Sequence, residues 1–149
     1  MSRVNELIQT IVNSLEGHVE FSELRLVETH GGRFSLDEIK RLAKKTPAVL
    51  IACLEIPALD SGAQGDNEHK LKMIAYVLTR DAAGVSKDVN SVAIVEKLLR
   101  HFKDEEWGLS WAMPAQNFVA RNLYSNNIDK VGVSLWGVGF DQTIQLECC

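Results

Sequence analysis

The residue types able to do chemistry are few and scattered. Four histidines, His18, His30, His69 and His101, could ligate a metal or carry protons. None stands in a His-x-x-x-His pair, and no Cys-x-x-Cys accompanies them. Compact metal sites draw on such close pairs, so no metal is expected. Gly132-Val-Ser134-Leu-Trp-Gly137 has the look of a hydrolase nucleophile elbow. Its spacing is one residue too long, and it lies inside strand-like sequence instead of opening a helix, so Ser134 is not read as a nucleophile. Gly137-Val-Gly139 lacks the third glycine and following helix of a dinucleotide site, and strand bending is the simpler account. No phosphate-binding Gly-x-x-x-x-Gly-Lys-Ser/Thr loop is present. The carboxylate pairs Asp37-Glu38 and Glu105-Glu106 fall at helix ends, where capping and solvation explain them. Cys53 lies in a strand-like apolar run, where a thiol serves as a small hydrophobe. Together these readings predict no catalytic residue and no cofactor.

The aromatic residues Trp107, Trp111, Phe118, Tyr124, Trp136 and Phe140 gather in the carboxyl-terminal third. A platform for stacking bases needs cations among them, and only Arg121 and Lys130 qualify. Core packing or an aromatic-rich interface is the expectation instead.

The elements that must position these residues are legible from periodicity. Val4, Leu7, Ile8, Ile11, Val12 and Leu15 make one apolar stripe over residues 2–16, a helix with a single buried face. Ser2 can cap its start, and Gly17 can take the left-handed conformation at its end. Glu6 and Glu16 outweigh Arg3, so anionic lipid would not attract it. A short strand at 24–29 precedes a helix at about 35–45, where Ser35 and Glu38 have capping-box spacing, Phe34 and Ile39 staple spacing, and Arg41, Lys44 and Lys45 suit the carboxyl end. Residues 47–56 read as a strand covered on both sides. The Pro57–Asn67 connection is long for a hairpin. A strand at 69–80 leads to a helix at about 89–103 that Asp88 can cap. Strands at 116–124 and 130–146 flank a Ser125-Asn126-Asn127 turn. In the last strand the apolar parity switches between Val131, Val133 and Leu135 and then Val138 and Phe140, and a bulge near Gly137 would return them to one face.

That order predicts an α+β fold: a single mixed or antiparallel sheet, consecutive strands pairing antiparallel, helices packed on one face. The 149 residues fit one domain, with a flexible loop about 57–68 and a tail about 147–149. A net charge of −4 and a pI near 5.6 argue against a dedicated nucleic-acid binder. No apolar run reaches the roughly 20 residues that span a bilayer. The amino-terminal segment lacks the core of a signal peptide, and three cysteines, two of them the adjacent Cys148 and Cys149, make no disulfide framework. Synthesis in a reducing cytoplasm is expected.

Several segments carry a resemblance. They are Lys-Lys-Thr-Pro-Ala-Val-Leu-Ile (44–51), Tyr-Val-Leu-Thr-Arg (76–80), Ile-Val-Glu-Lys-Leu-Leu (94–99), Ala-Arg-Asn-Leu-Tyr-Ser (120–125) and Gly-Val-Ser-Leu-Trp-Gly-Val-Gly-Phe-Asp-Gln (132–142), in order after an amphipathic helix. With them the chain resembles the Mu-like bacteriophage and prophage tail-terminator family, similar in fold to minor tail protein U of phage lambda. The resemblance implies a structural protein without catalysis. It implies a ring, commonly of six subunits, that caps the tail tube, stops its polymerisation and offers a surface to a head-side connector protein. The implied partners are other copies of the chain, the tail tube protein and the connector, with neither a membrane nor sequence-specific nucleic acid; the implied place is the bacterial cytoplasm during assembly and then the virion tail. Contact residues are expected near loops and turns: Asp60 and Asp66 in the long connection, and Arg121, Asn122, Tyr124 and Asn126 around the last turn. A connector adaptor or tube protein is the alternative, and a small hydrolase with a dispersed site the remoter one.

Overall fold

The computed structural model describes residues 2–57, 68–81, 84, 86–123 and 125–146. Asp60, Asp66, Tyr124 and the two terminal cysteines lie outside them.

Helix α1 (Arg3–Glu16) forms where the apolar stripe predicts it, burying Leu7, Ile8, Ile11, Val12 and Leu15. Ser2 caps it by accepting from the Asn5 amide. Gly17 follows with φ −89, right-handed and not left-handed as expected; its amide still closes the last turn onto Asn13 and Leu15. A short 3-10 turn, Val19–Phe21, leads to β1 (Leu26–Thr29). Helix α2 (Leu36–Ala43) is capped by Ser35, which accepts from the Glu38 amide. The Glu38 carboxylate does not complete the capping box, because it receives Nε2 of His30 at 2.5 Å. Strands β2 (Ala48–Glu55) and β3 (Glu68–Thr79) follow, then α3 (Lys87–Phe102). Ser86, not Asp88, caps α3 by accepting from the Val89 amide. Strand β4 (Gln116–Asn122) and β5 (Ser134–Gln145) close the chain. Between them the expected turn at Ser125 is instead the cap of a one-turn helix, α4 (Asn126–Lys130).

These elements make an α+β fold around one mixed sheet, ordered β1-β2-β3-β5-β4. β1 runs parallel to β2, with α2 as the crossover, so consecutive strands do not all pair antiparallel. β3 is antiparallel to β2 and β5, and β4 to β5. The β3–β5 ladder is unbroken from Thr79 opposite Ser134 to Glu68 opposite Gln145. No bulge stands at Gly137. The parity switch in β5 has a different cause: the sheet is buried on both faces.

Val138, Phe140 and Ile144 belong to the larger core, with Val49, Ile51, Met73 and Val77 under α1 and α3. Leu135 belongs to a second cluster on the reverse face, with Leu50, Tyr76 and Leu78 against Leu42 and Ala43 of α2. The helices are therefore not all on one face. The two long ones share a side, while α2 and α4 cover part of the other. Alternate residues of each central strand serve opposite layers, as a two-unit side-chain period requires. Bulges occur elsewhere, at Cys53/Glu55 and between Gln116 and Val119, where Asn117 adopts φ 59.

The aromatic residues mostly pack in the core as expected. Phe102 meets Trp107 and Phe140 edge-on, with centroids 5.1 and 5.3 Å apart, and Phe118 stacks on Phe140. The segment after α3 is pinned to β5 by Gln142, which is 0% exposed. Its Oε1 accepts from Trp107 Nε1 at 3.0 Å, and its Nε2 donates to the carbonyls of Glu105 and Met113.

Candidate functional site

The α2–α4 layer stops partway along its face. α2 and α4 cover the part of the sheet around Leu50, Tyr76 and Leu135. One step along, the cross-strand row reads Ala52, Ile74, Gly139 and Val119. Neither Gly137 nor Gly139 has a side chain to raise the floor, and a trough of about 340 Å³ lies over them. Leu54, Ile74, Val119 and Leu123 line it with apolar surface, and Leu54 and Val119 are 52% and 50% exposed. Arg121 stands on its rim. At one end Lys72 Nζ lies 3.6 Å from Asp141, whose other oxygen accepts from Asn117 Nδ2 at 2.9 Å. Leu123 also lines a second depression, with Phe34, Ile39, Tyr76 and Ile128, so apolar surface continues toward α2 and α4. Contiguous exposed apolar surface with a polar rim is characteristic of protein contact sites.

The trough borders strand β4, which among the described residues pairs with β5 alone and so stands at the edge of the sheet. Of the expected contact residues, Arg121 lines the trough. Asn122 is exposed at the end of β4, and Asn126 is exposed at the start of α4. These three fall at one corner of the sheet. The glycine floor and Leu54 escaped the sequence reading, because a trough made by missing side chains leaves no charged or aromatic signal. The alternation of Phe118 and Ala120 with Val119 was the available clue, since Val119 had to face away from the main core.

Two polar clusters lie elsewhere. Ser14 Oγ is 3.2 Å from His101 Nε2, beside His18 and Phe21. The hydroxyl donates to the Ile11 carbonyl at 2.7 Å, so its proton is directed to backbone and His101 is the donor. That is the reverse of what an activated serine needs. Burial pushes the His101 pKa down; the charge of His18 adds to this, and Glu105 and Glu20 oppose it. In the second cluster His30 Nδ1 accepts from the Gly32 amide at 2.9 Å, which leaves the proton on Nε2 facing Glu38. Phe34 stacks on the same ring at 4.2 Å, so this imidazole fastens the loop before α2. Cys53 is half-buried, its thiol raised by burial against a smaller lowering contribution from the Glu55 carbonyl. Among the described residues no His, Cys, Asp and Glu side chains gather into a metal-holding group, and no helix is long and apolar enough to cross a membrane.

No family model matches the chain, and no curated protein matches it.

Proposed function

We propose that the chain is a phage or prophage tail terminator, a structural protein that forms a ring on the finished tail tube, ends its growth and presents a surface to the head-side connector. The observation that carries this reading is the open half of the sheet: an apolar trough over Gly137 and Gly139, flanked by the edge strand β4 and the exposed Arg121. Such a surface suits a protein partner through shape and apolar burial. The segments that resemble tail terminators support it further, because Arg121, Leu123, Gly137, Gly139 and Asp141, which line the trough, fall within them.

A terminator must bind the last ring of the tube with one surface and refuse the next tube subunit with another. A ring of identical chains does both when its two faces differ, and several weak contacts acting together hold it in place. Tube protein is the partner assigned to the trough. The deciding experiment is deletion of the reading frame in an inducible phage. Overlong tubes without heads support termination, and normal tails joined to heads overturn it. Electron microscopy of the purified chain separates the alternative, since a tube protein stacks into long fibres and a terminator gives closed rings.

A further inference from the structure

The two ends of the sheet carry surpluses of opposite charge, though neither is of one sign alone: Asp81, Asp88 and Asp129 stand among the cations at the first. At one end β2 begins, β3 finishes and α3 starts. There the Arg25 amide donates to the Pro47 carbonyl, Arg80 Nη1 reaches the Ala43 carbonyl at 3.4 Å, and Lys44 and Lys45 close α2. All four side chains are exposed. Arg25 and Arg80 line a concavity of about 190 Å³ with Thr46, Thr79 and Asn90. Asp81 is there too, and its Oδ1 is engaged by the Lys87 amide at 2.6 Å. Lys87 Nζ is in turn paired with Asp129 at 3.1 Å.

At the other end β2 finishes on Glu55 and β3 opens on Glu68. The acidic turn Asp104-Glu105-Glu106 follows α3 and is held toward that end by Gln142 Nε2 on the Glu105 carbonyl. Lys70, Lys72, Lys103 and Arg3 are the cations nearby, Lys72 lying opposite Glu55 and paired with Asp141, against the acids Glu55, Glu68, Asp104, Glu105, Glu106 and Asp141. β3 spans the two ends with 12 residues, or roughly 36 Å at the usual strand rise. The Debye length at physiological salt is only about 8 Å, so the two ends cannot neutralise one another within one chain.

Resting on the ring reading, we infer that neighbouring copies of this chain meet head to tail, the basic end around Arg25 and Arg80 receiving the acidic end around Glu68 and Glu106 of the next. The match is between two different surfaces of the same chain, so each copy offers one of each and the contact repeats around a closed ring. It leaves the trough free for a different partner. It also lets a chain of net charge −4 associate with itself, because the local surpluses that meet are of opposite sign.

The test uses the full chain and two charge-reversed variants, Arg25→Glu with Arg80→Glu, and Glu68→Lys with Glu106→Lys. Self-association is followed by analytical ultracentrifugation, and folding by circular dichroism. The unaltered chain is expected to associate at least about tenfold more tightly in 50 mM than in 1 M salt, where screening shortens to about 3 Å. Each variant alone is expected to be at least about tenfold weaker, since like charges then face one another. An equimolar mixture of the two is expected to associate again, because every junction regains opposite charges. Rings indifferent to salt and to both reversals would overturn this contact and leave termination standing. A chain monomeric at about 100 µM in every salt would overturn both. If the first variant loses binding to a DNA oligonucleotide while its oligomeric state is unchanged, the basic end is a phosphate surface and the inference is wrong. Mixtures that fail to associate although both variants are folded would refute it as well.

Discussion

Substitutions at the two floor glycines separate folding from docking. Gly139 lies in extended strand, and a Cβ built on it meets only the Val119 and Met73 carbonyl oxygens at 3.7 and 3.9 Å, ordinary contact distances. Alanine therefore fits, and it removes conformational freedom that glycine has in the unfolded chain. Gly139→Ala should stabilise the protein by about 0.5–1 kcal/mol. For a domain of this size that raises the melting temperature by about 1–4 °C. At Gly137 the same Cβ meets Ile74 Cδ1 at 2.8 Å and Leu123 Cδ1 at 3.1 Å, so both side chains must turn. Both are terminal methyls of side chains that line the open trough, so their displacement offsets part of the entropic gain, and Gly137→Ala should stabilise less than Gly139→Ala. Thermal and urea unfolding of the two variants gives the comparison directly. A bulkier Gly139→Leu then fills the trough from its floor while the backbone remains compatible. Its folded state should persist, and complementation of a phage lacking the gene should fail through loss of tube capping. Stability falling by more than about 1 kcal/mol in Gly139→Ala would refute the geometry of the trough floor. Full complementation by folded Gly139→Leu would remove the trough as the docking surface.

Gln142→Leu leaves Trp107 Nε1 and the Met113 carbonyl without their partner, while the Glu105 carbonyl keeps the Ala115 amide, and should cost about 1–3 kcal/mol in urea unfolding; a cost under about 0.5 kcal/mol would show that the pin is dispensable. Because the folded pKa of His101 lies below its ordinary value, the unfolded chain binds the proton more readily. The stability this contributes is complete above the ordinary histidine pKa, about 6.5, and is lost as pH falls toward the folded value. His101→Gln should flatten the difference in urea midpoint between pH 7.5 and 5.5, and an unchanged slope would contradict this. Cys53, half-buried with its thiol held protonated, should alkylate at least about tenfold more slowly in the folded chain than in urea; mass spectrometry of the modified peptide reads the ratio, and equal rates would place the thiol at the surface.

The helices were the most legible part of the fold. The stripe from Val4 to Leu15 and the caps at Ser2 and Ser35 are local signals, and local physics decides them. The sheet was less so. Leu135 and Val138 have opposite parity because they serve different layers, whereas a one-sided sheet would need a bulge to explain them. The parallel pairing of β1 with β2 was hidden for a related reason: α2 is only 8 residues long, and its role as a crossover depends on where β1 lands. Of the candidate site, Arg121, Asn122 and Asn126 were approachable from their places near a turn. The trough itself depends on what Gly137 and Gly139 omit, across from strands distant in sequence.

The bulge in β4 has one more consequence. Gln116 lies opposite Asp141 and Val119 opposite Gly139, so two residues face Phe140, and Asn117 turns back at φ 59 to make the kink. An outermost strand with straight, regular backbone invites a foreign strand to zip alongside, and then another, toward an open-ended cross-β stack. The kink spoils that template near its beginning. A molecule proposed to put an end to one filament is thereby kept from seeding another.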